Sequence, residues 1–169
     1  MGLCGGWGSV THGGGGRPLL MQWEGSGMDR VMKILTWPAA LFVAGVLLWY
    51  EQFKLSGNAG SVELFTTLTD WLGLHGYEAW MRLGVAWAEI AASVLVINQP
   101  SRMWGAAGAL GLMSGAIFFH VASPLGVDPY GDGGVLFKEA CAVWLCSGFI
   151  VWVYRMEAIA LLRRVMGGR

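Results

Sequence analysis

Long uncharged runs alternate with short polar breaks along this chain, and the lengths of the runs set its architecture. Between Lys33 and Glu51 lie 17 residues without formal charge. A helix rising 1.5 Å per residue needs about 20 mostly apolar residues to cross a hydrocarbon layer of about 30 Å, so positions 31–53 supply a first span once flanking residues are added. A second covers 78–97, interrupted only by Arg82 near its start and Glu89 inside it. The third, 103–122, holds no formal charge and one histidine, His120; the fourth, 135–154, confines Lys138 and Glu139 to its first turns. Pro38 falls near the start of the first span, where a missing amide is tolerated or gives a modest kink.

Between the first two spans, residues 61–74 read SVELFTTLTDWLGL. Three- and four-residue spacing puts Val62, Leu64, Phe65, Leu68, Trp71 and Leu72 near one side of a helix, with Asn58 and Ser61 as candidate caps. Glu63 and Asp70 make this helix too polar to cross, so it is expected to lie on the membrane surface. The expected fold is therefore all-α: an integral membrane four-helix bundle with a short amphipathic surface helix between spans one and two. Residues 1–27 hold ten of the 27 glycines, too little apolar surface to offset ordering entropy, and are expected to be disordered. They also lack the apolar core of a signal peptide, and Met28 opens a more ordinary membrane-protein start, MDRVMKILTWP. Residues 28–157 form the transmembrane domain and 158–169 a basic tail.

Composition agrees with lipid as the surrounding solvent. The chain is 55% hydrophobic and 13% charged, where soluble domains carry about 25% charged residues. Eleven basic residues balance eleven acidic ones, so no nucleic-acid partner is expected. Cys4, Cys141 and Cys146 form no CxxC pair, and Cys141 and Cys146 lie about 140° apart on a helix, which argues against a thiol relay. Ten tryptophans fit interfacial anchoring. Arg17, Arg30, Lys33, Arg102, Arg155, Arg163, Arg164 and Arg169 fall on one side of an alternating four-span chain and only Lys54, Arg82 and Lys138 on the other. The excess predicts cytoplasmic termini, with the loop bearing Asp128 and Asp132 facing outward.

The same alternation brings the ionisable residues of the spans to one end: Glu51 and Lys54 close the first, Arg82 opens the second, His120 ends the third, and Lys138 with Glu139 open the fourth. Glu89 lies seven residues beyond Arg82, about 10 Å deeper on nearly the same face. Intramembrane ionisable residues turn inward and pair. As structure, pairs such as Glu89 with Arg82 or Lys138 fix helix register. As function, the cluster is a polar pocket for an amphipathic small molecule, with His120 and Glu89 exchanging protons, and a quinone suits it: ring oxygens take up protons and the isoprenoid tail stays in lipid.

In the third span Gly105, Gly108, Gly111 and Gly115 make a stripe of the kind that lets helix backbones approach; Gly108, Gly111 and Gly115 are its expected packing positions, within the bundle or against another subunit. His120 is the only histidine deep in a span, too few for intrinsic haem ligation. No carboxylate and histidine share the spacing of a helical metal motif. The GDGG run at 131–134 lacks the longer phosphate-loop pattern and follows no strand, so a tight turn feeding the fourth span is expected. A transporter reading finds neither an internal repeat nor paired broken helices.

Taken together, EQFK at 51–54, NAGSVELF at 58–65, MRLG at 81–84 leading to Glu89, GAIFFH at 115–120 and DGGVLF at 132–137 resemble the DoxX family of small bacterial membrane proteins. The similarity covers roughly 33–154. It implies a four-helix membrane protein, some of whose relatives are subunits of a thiosulfate:quinone oxidoreductase or partners in membrane redox complexes, and by similarity Lys54, Arg82, Glu89 and His120 fall at characteristic positions. The N-terminal segment and the tryptophan load depart from that pattern. The expected function is a subunit in quinone-linked redox chemistry. The alternative is a non-catalytic accessory subunit that stabilises a larger membrane complex through its glycine stripe and aromatic rim.

Overall fold

A computed structural model describes residues 19–167, with side chains placed continuously from Asp29 to Glu157. Five α-helices follow in order: α1 Leu19–Ser56, α2 Ala59–Trp71, α3 Glu78–Ile97, α4 Arg102–Ala122 and α5 Val135–Gly167, with a single 3-10 turn, Gln99–Ser101, between α3 and α4. No strand occurs among the described residues. Four of these helices are long and apolar enough to cross a membrane, and α2 lies between the first two.

The long helices run up and down in sequence. α1 packs against α3 and α5, and α4 against the same two, so the helices form a square in chain order with α2 laid mainly on α3. Each buries a narrow stripe at alternating three- and four-residue steps: Ala40, Val43 and Leu47 on α1; Arg82, Ala86, Glu89, Ser93 and Val96 on α3; Ala140, Val143, Ser147, Ile150 and Tyr154 on α5. Such a stripe is one face of an α-helix. The rest of each helix is outside. In the most apolar 18-residue window of α1, α3, α4 and α5 only 28, 33, 28 and 22% of positions are buried, so most of the apolar surface has no protein partner and is solvated by lipid. Trp37, Trp49, Trp80, Trp104 and Trp152, all exposed, stand toward the ends of the apolar spans as interfacial anchors do.

Small side chains hold the bundle close. Ala92 faces Gly108, and a β-carbon on Gly105 would lie 2.2 Å from the Val96 amide nitrogen, so α3 and α4 touch backbone to backbone at that level. Close approach of this kind stands in for the hydrophobic driving force that lipid removes.

Several boundaries differ from expectation. α1 begins at Leu19, inside the segment expected to be disordered, because the strong helix formers Leu19, Leu20, Met21 and Gln22 follow the glycine run and continue the first span backward; residues 1–18 lie outside the described residues. α5 likewise continues through most of the basic tail to Gly167. In α2 the cap is Asn58, whose side chain accepts from the Gly60 amide at 3.0 Å, while Ser61 is buried inside the helix. Its buried face is Ser61, Phe65, Leu68 and Thr69, because α3 rather than a flat membrane surface takes it; Trp71 and Leu72 are exposed.

Candidate functional site: a cavity ending on a buried charge cluster

Two core stripes turn ionisable at the same end of the bundle. The α1 stripe continues from Leu47 to Glu51, and the α3 stripe carries Glu89 three residues past Ala86; the two glutamates are 3% and 5% exposed. Lys54, one turn beyond Glu51, turns back to serve both. Its Nζ donates to Glu51 Oε1 at 3.0 Å and to Glu89 Oε2 at 2.5 Å. Arg82 donates from Nε to Glu78 at 2.5 Å and from Nη1 to the Lys54 carbonyl in the last turn of α1, which also accepts from the Gly57 amide at 3.4 Å.

This pairing corrects the expected one. Glu89 does not meet Arg82 or Lys138. Arg82 lies two turns nearer the helix start and takes Glu78, four residues away on its own helix, while Lys138 points outward, exposed and without an ion pair among the described residues. Glu139, beside it, faces inward and accepts from the Tyr50 hydroxyl.

His120 is 4% exposed and its Nδ1 lies 2.6 Å from the Gly126 carbonyl oxygen. A carbonyl only accepts, so Nδ1 carries the hydrogen and Nε2 remains for other partners. The Phe137 ring packs edge-on against the imidazole. Gly126 sits at φ +70°, a left-handed conformation that lets the chain leave α4 and return its carbonyl to His120. Beyond it, Asp128 accepts from the Asp132 and Gly133 amides at 2.9 and 3.1 Å, and Asp132 from the Val135 amide at 3.0 Å at the head of α5. The GDGG run is thus a helix-capping turn. Tyr130 extends from this loop to the Gly60 carbonyl, 3.2 Å away, and ties the loop to the start of α2.

Between these elements lies a half-open cavity of about 620 Å³. Apolar walls come from Val46 and Leu47 on α1, Leu64, Phe65 and Leu68 on α2, Met81 and Val85 on α3, Leu112, Met113 and Phe119 on α4, and Leu136 on α5. Lys54, Glu89, His120, Glu139 and the hydroxyls of Tyr50 and Tyr130 supply its polar groups. The size falls within the range of small-molecule pockets, about 300–1,000 Å³, as does the pattern of many apolar and few polar lining groups. Among the described residues no three His, Cys, Asp or Glu side chains group as a metal site.

The glycine stripe divides in two. Gly105 and Gly108 make the close contact with α3, but Gly111 and Gly115 line the cavity, and a β-carbon on either would meet nothing within 4 Å. The two positions expected to pack helices together border open space instead.

Sequence reasoning missed Arg102. Counted there as a loop charge, it is 0% exposed. Its guanidinium donates to the Val96 and Ile97 carbonyls at 3.1 and 3.2 Å and to Thr36 Oγ1 at 3.2 Å, and lies 3.9 Å from the centre of the Trp37 ring. It caps α3 and joins α1 to the α3–α4 hairpin. The signal was faint: an arginine two residues after a proline at a helix C-terminus, where cations are favoured.

Compared with family models, curated proteins and solved structures, the chain matches none.

Proposed function

We propose that this chain is a DoxX-like multi-pass protein of the bacterial cytoplasmic membrane that binds a quinone in the cavity at the Glu51–Glu89 end and takes part in quinone-linked redox chemistry. The observation that carries this reading is the largely apolar 620 Å³ cavity that ends on Lys54, Glu89 and His120. A flat ring with two carbonyl oxygens and an isoprenoid tail matches such a lining. The Lys54 ammonium donates to a carbonyl oxygen, His120 Nε2 accepts from the hydroxyl of the reduced form, and Glu89 stands where a proton is given or taken. The net acidity of the cluster favours an uncharged headgroup over an anionic one. The bias of basic residues supports cytoplasmic termini and, with them, a cavity under the outer leaflet.

The test is binding of a short-chain ubiquinone to the purified protein in lipid nanodiscs, followed by quenching of its tryptophan fluorescence. Wild type should bind saturably, and Glu89→Gln should weaken binding about tenfold or more while the helical circular dichroism is kept, since a hydrogen bond to a charged group contributes about 1.5–3 kcal/mol. Equal binding by a well-folded Glu89→Gln protein removes Glu89 from the site. No binding by wild type removes the quinone.

A further inference from the structure

The cluster at the head of the cavity is one positive charge short. Arg82 and Glu78 neutralise each other. Lys54 is then the single cation facing two carboxylates, Glu51 and Glu89, both nearly sealed from solvent. Among the described residues no other group supplies the difference. On α5, Glu139 is itself acidic and engaged by Tyr50, and Lys138 is exposed. His120 on α4 is turned to the Gly126 carbonyl, and Glu63 on α2 is exposed and acidic.

A second observation points the same way. Glu51 Oε2 is buried and has no hydrogen-bond partner among the described residues, although Oε1 of the same carboxylate is held by Lys54. A bare carboxylate oxygen in so dry a place is costly. As a hydroxyl the same atom becomes a donor, and the acceptor within the cluster is the Glu89 carboxylate gathered on the same ammonium. Two carboxylates sharing one site do not both stay ionised.

We propose that Glu51 and Glu89 hold one proton in common at neutral pH, so that Lys54 faces a singly charged acid pair, and that this proton exchanges with the cavity through Glu89. Of the two, Glu89 lines the cavity and Glu51 lies behind it. The site is a proton-binding site in its own right and holds whether or not a quinone occupies the cavity.

Infrared spectroscopy of the ligand-free protein in nanodiscs at neutral pH tests this, through the carbonyl stretch of a protonated carboxyl and its shift in deuterium oxide. Wild type should show a band of the size of one carboxylic acid per chain. Glu51→Gln should abolish it. Glu89→Gln should abolish it as well, because the remaining Glu51 then pairs one to one with Lys54 and ionises. Glu139→Gln should leave it unchanged. Absence of the band from wild type overturns the proposal, a result that does not depend on any variant folding. A band that survives in folded Glu89→Gln also overturns it, since the proton would then belong to Glu51 alone. Quinone binding plays no part in the readout, so failure here and failure of the proposed ligand are separate results.

Discussion

Arg102 and Glu51 show how differently two buried charges are accommodated in one small bundle. Arg102 has no carboxylate partner among the described residues, yet three oxygens and the face of Trp37 surround its guanidinium. Arg102→Ala strands the Val96 and Ile97 carbonyls and should lower stability by about 2 kcal/mol or more. Arg102→Lys should recover only part of that, because an ammonium lacks the planar fork that reaches several acceptors at once. Thermal unfolding in a fixed detergent followed by circular dichroism checks both, and a stable alanine variant would show that the cap is dispensable. Outside the membrane, the carboxyl of Asp128 feels some desolvation, but the amides of Gly134, Gly133 and Asp132 outweigh it and hold the group below the usual carboxylate range. A depressed folded value means the loop gains from ionised Asp128 in full above the unfolded value, about 3.9, and loses that gain as pH falls below it. Amide exchange at Asp132 and Gly133, corrected for intrinsic rates, should accelerate in that acid window and show no such pH dependence in Asp128→Asn.

At the scale of the element, α4 does two jobs with one residue type. Near its start Gly105 lets α4 touch α3, and a methyl group there would meet backbone atoms that no rotamer change can move. Gly105→Ala should therefore destabilise by about 1–3 kcal/mol, the range for overpacked cores. Gly111→Ala, built into open space, should leave stability unchanged or raise it by up to about 1 kcal/mol, the gain of alanine over glycine inside a helix. Equal effects of the two in the same unfolding assay would count against the α3–α4 contact described above. Further along, Gly115→Leu should fill the cavity and weaken ubiquinone binding at least about tenfold, or about 1.4 kcal/mol, with the fold retained. Undiminished binding would place the ligand elsewhere.

For the whole molecule, orientation is the open variable. With single cysteines in a cysteine-free background, a membrane-impermeant maleimide should label Asp132→Cys on intact cells, and Arg30→Cys and Arg163→Cys only after permeabilisation. Labelling of Arg30→Cys and Arg163→Cys on opposite sides would break the even number of crossings. Purification from native membranes in mild detergent separates the two functional readings: co-purified quinone without protein partners favours the cavity as a binding site, and stoichiometric subunits without quinone favour an accessory role.

The number of spans, their limits at 78–97 and 135, and the gathering of Glu51, Lys54, Arg82, Glu89 and His120 at one end were all legible in the chain, because each follows from run length and from the periodicity of a single helix. Which residues pair was not legible. Periodicity places a side chain on a face and at a level, but whether Glu89 meets Arg82 or Lys54 depends on how far α1 and α3 stand apart and how they are rotated, and only packing between the helices fixes that. The cavity is of the same kind: Gly111 and Gly115 read as close-packing residues in one dimension, and only the arrangement of the neighbouring helices turns their missing side chains into volume. A sequence states what each helix presents, whereas an empty space or an ion pair is a relation among helices, and packing decides it.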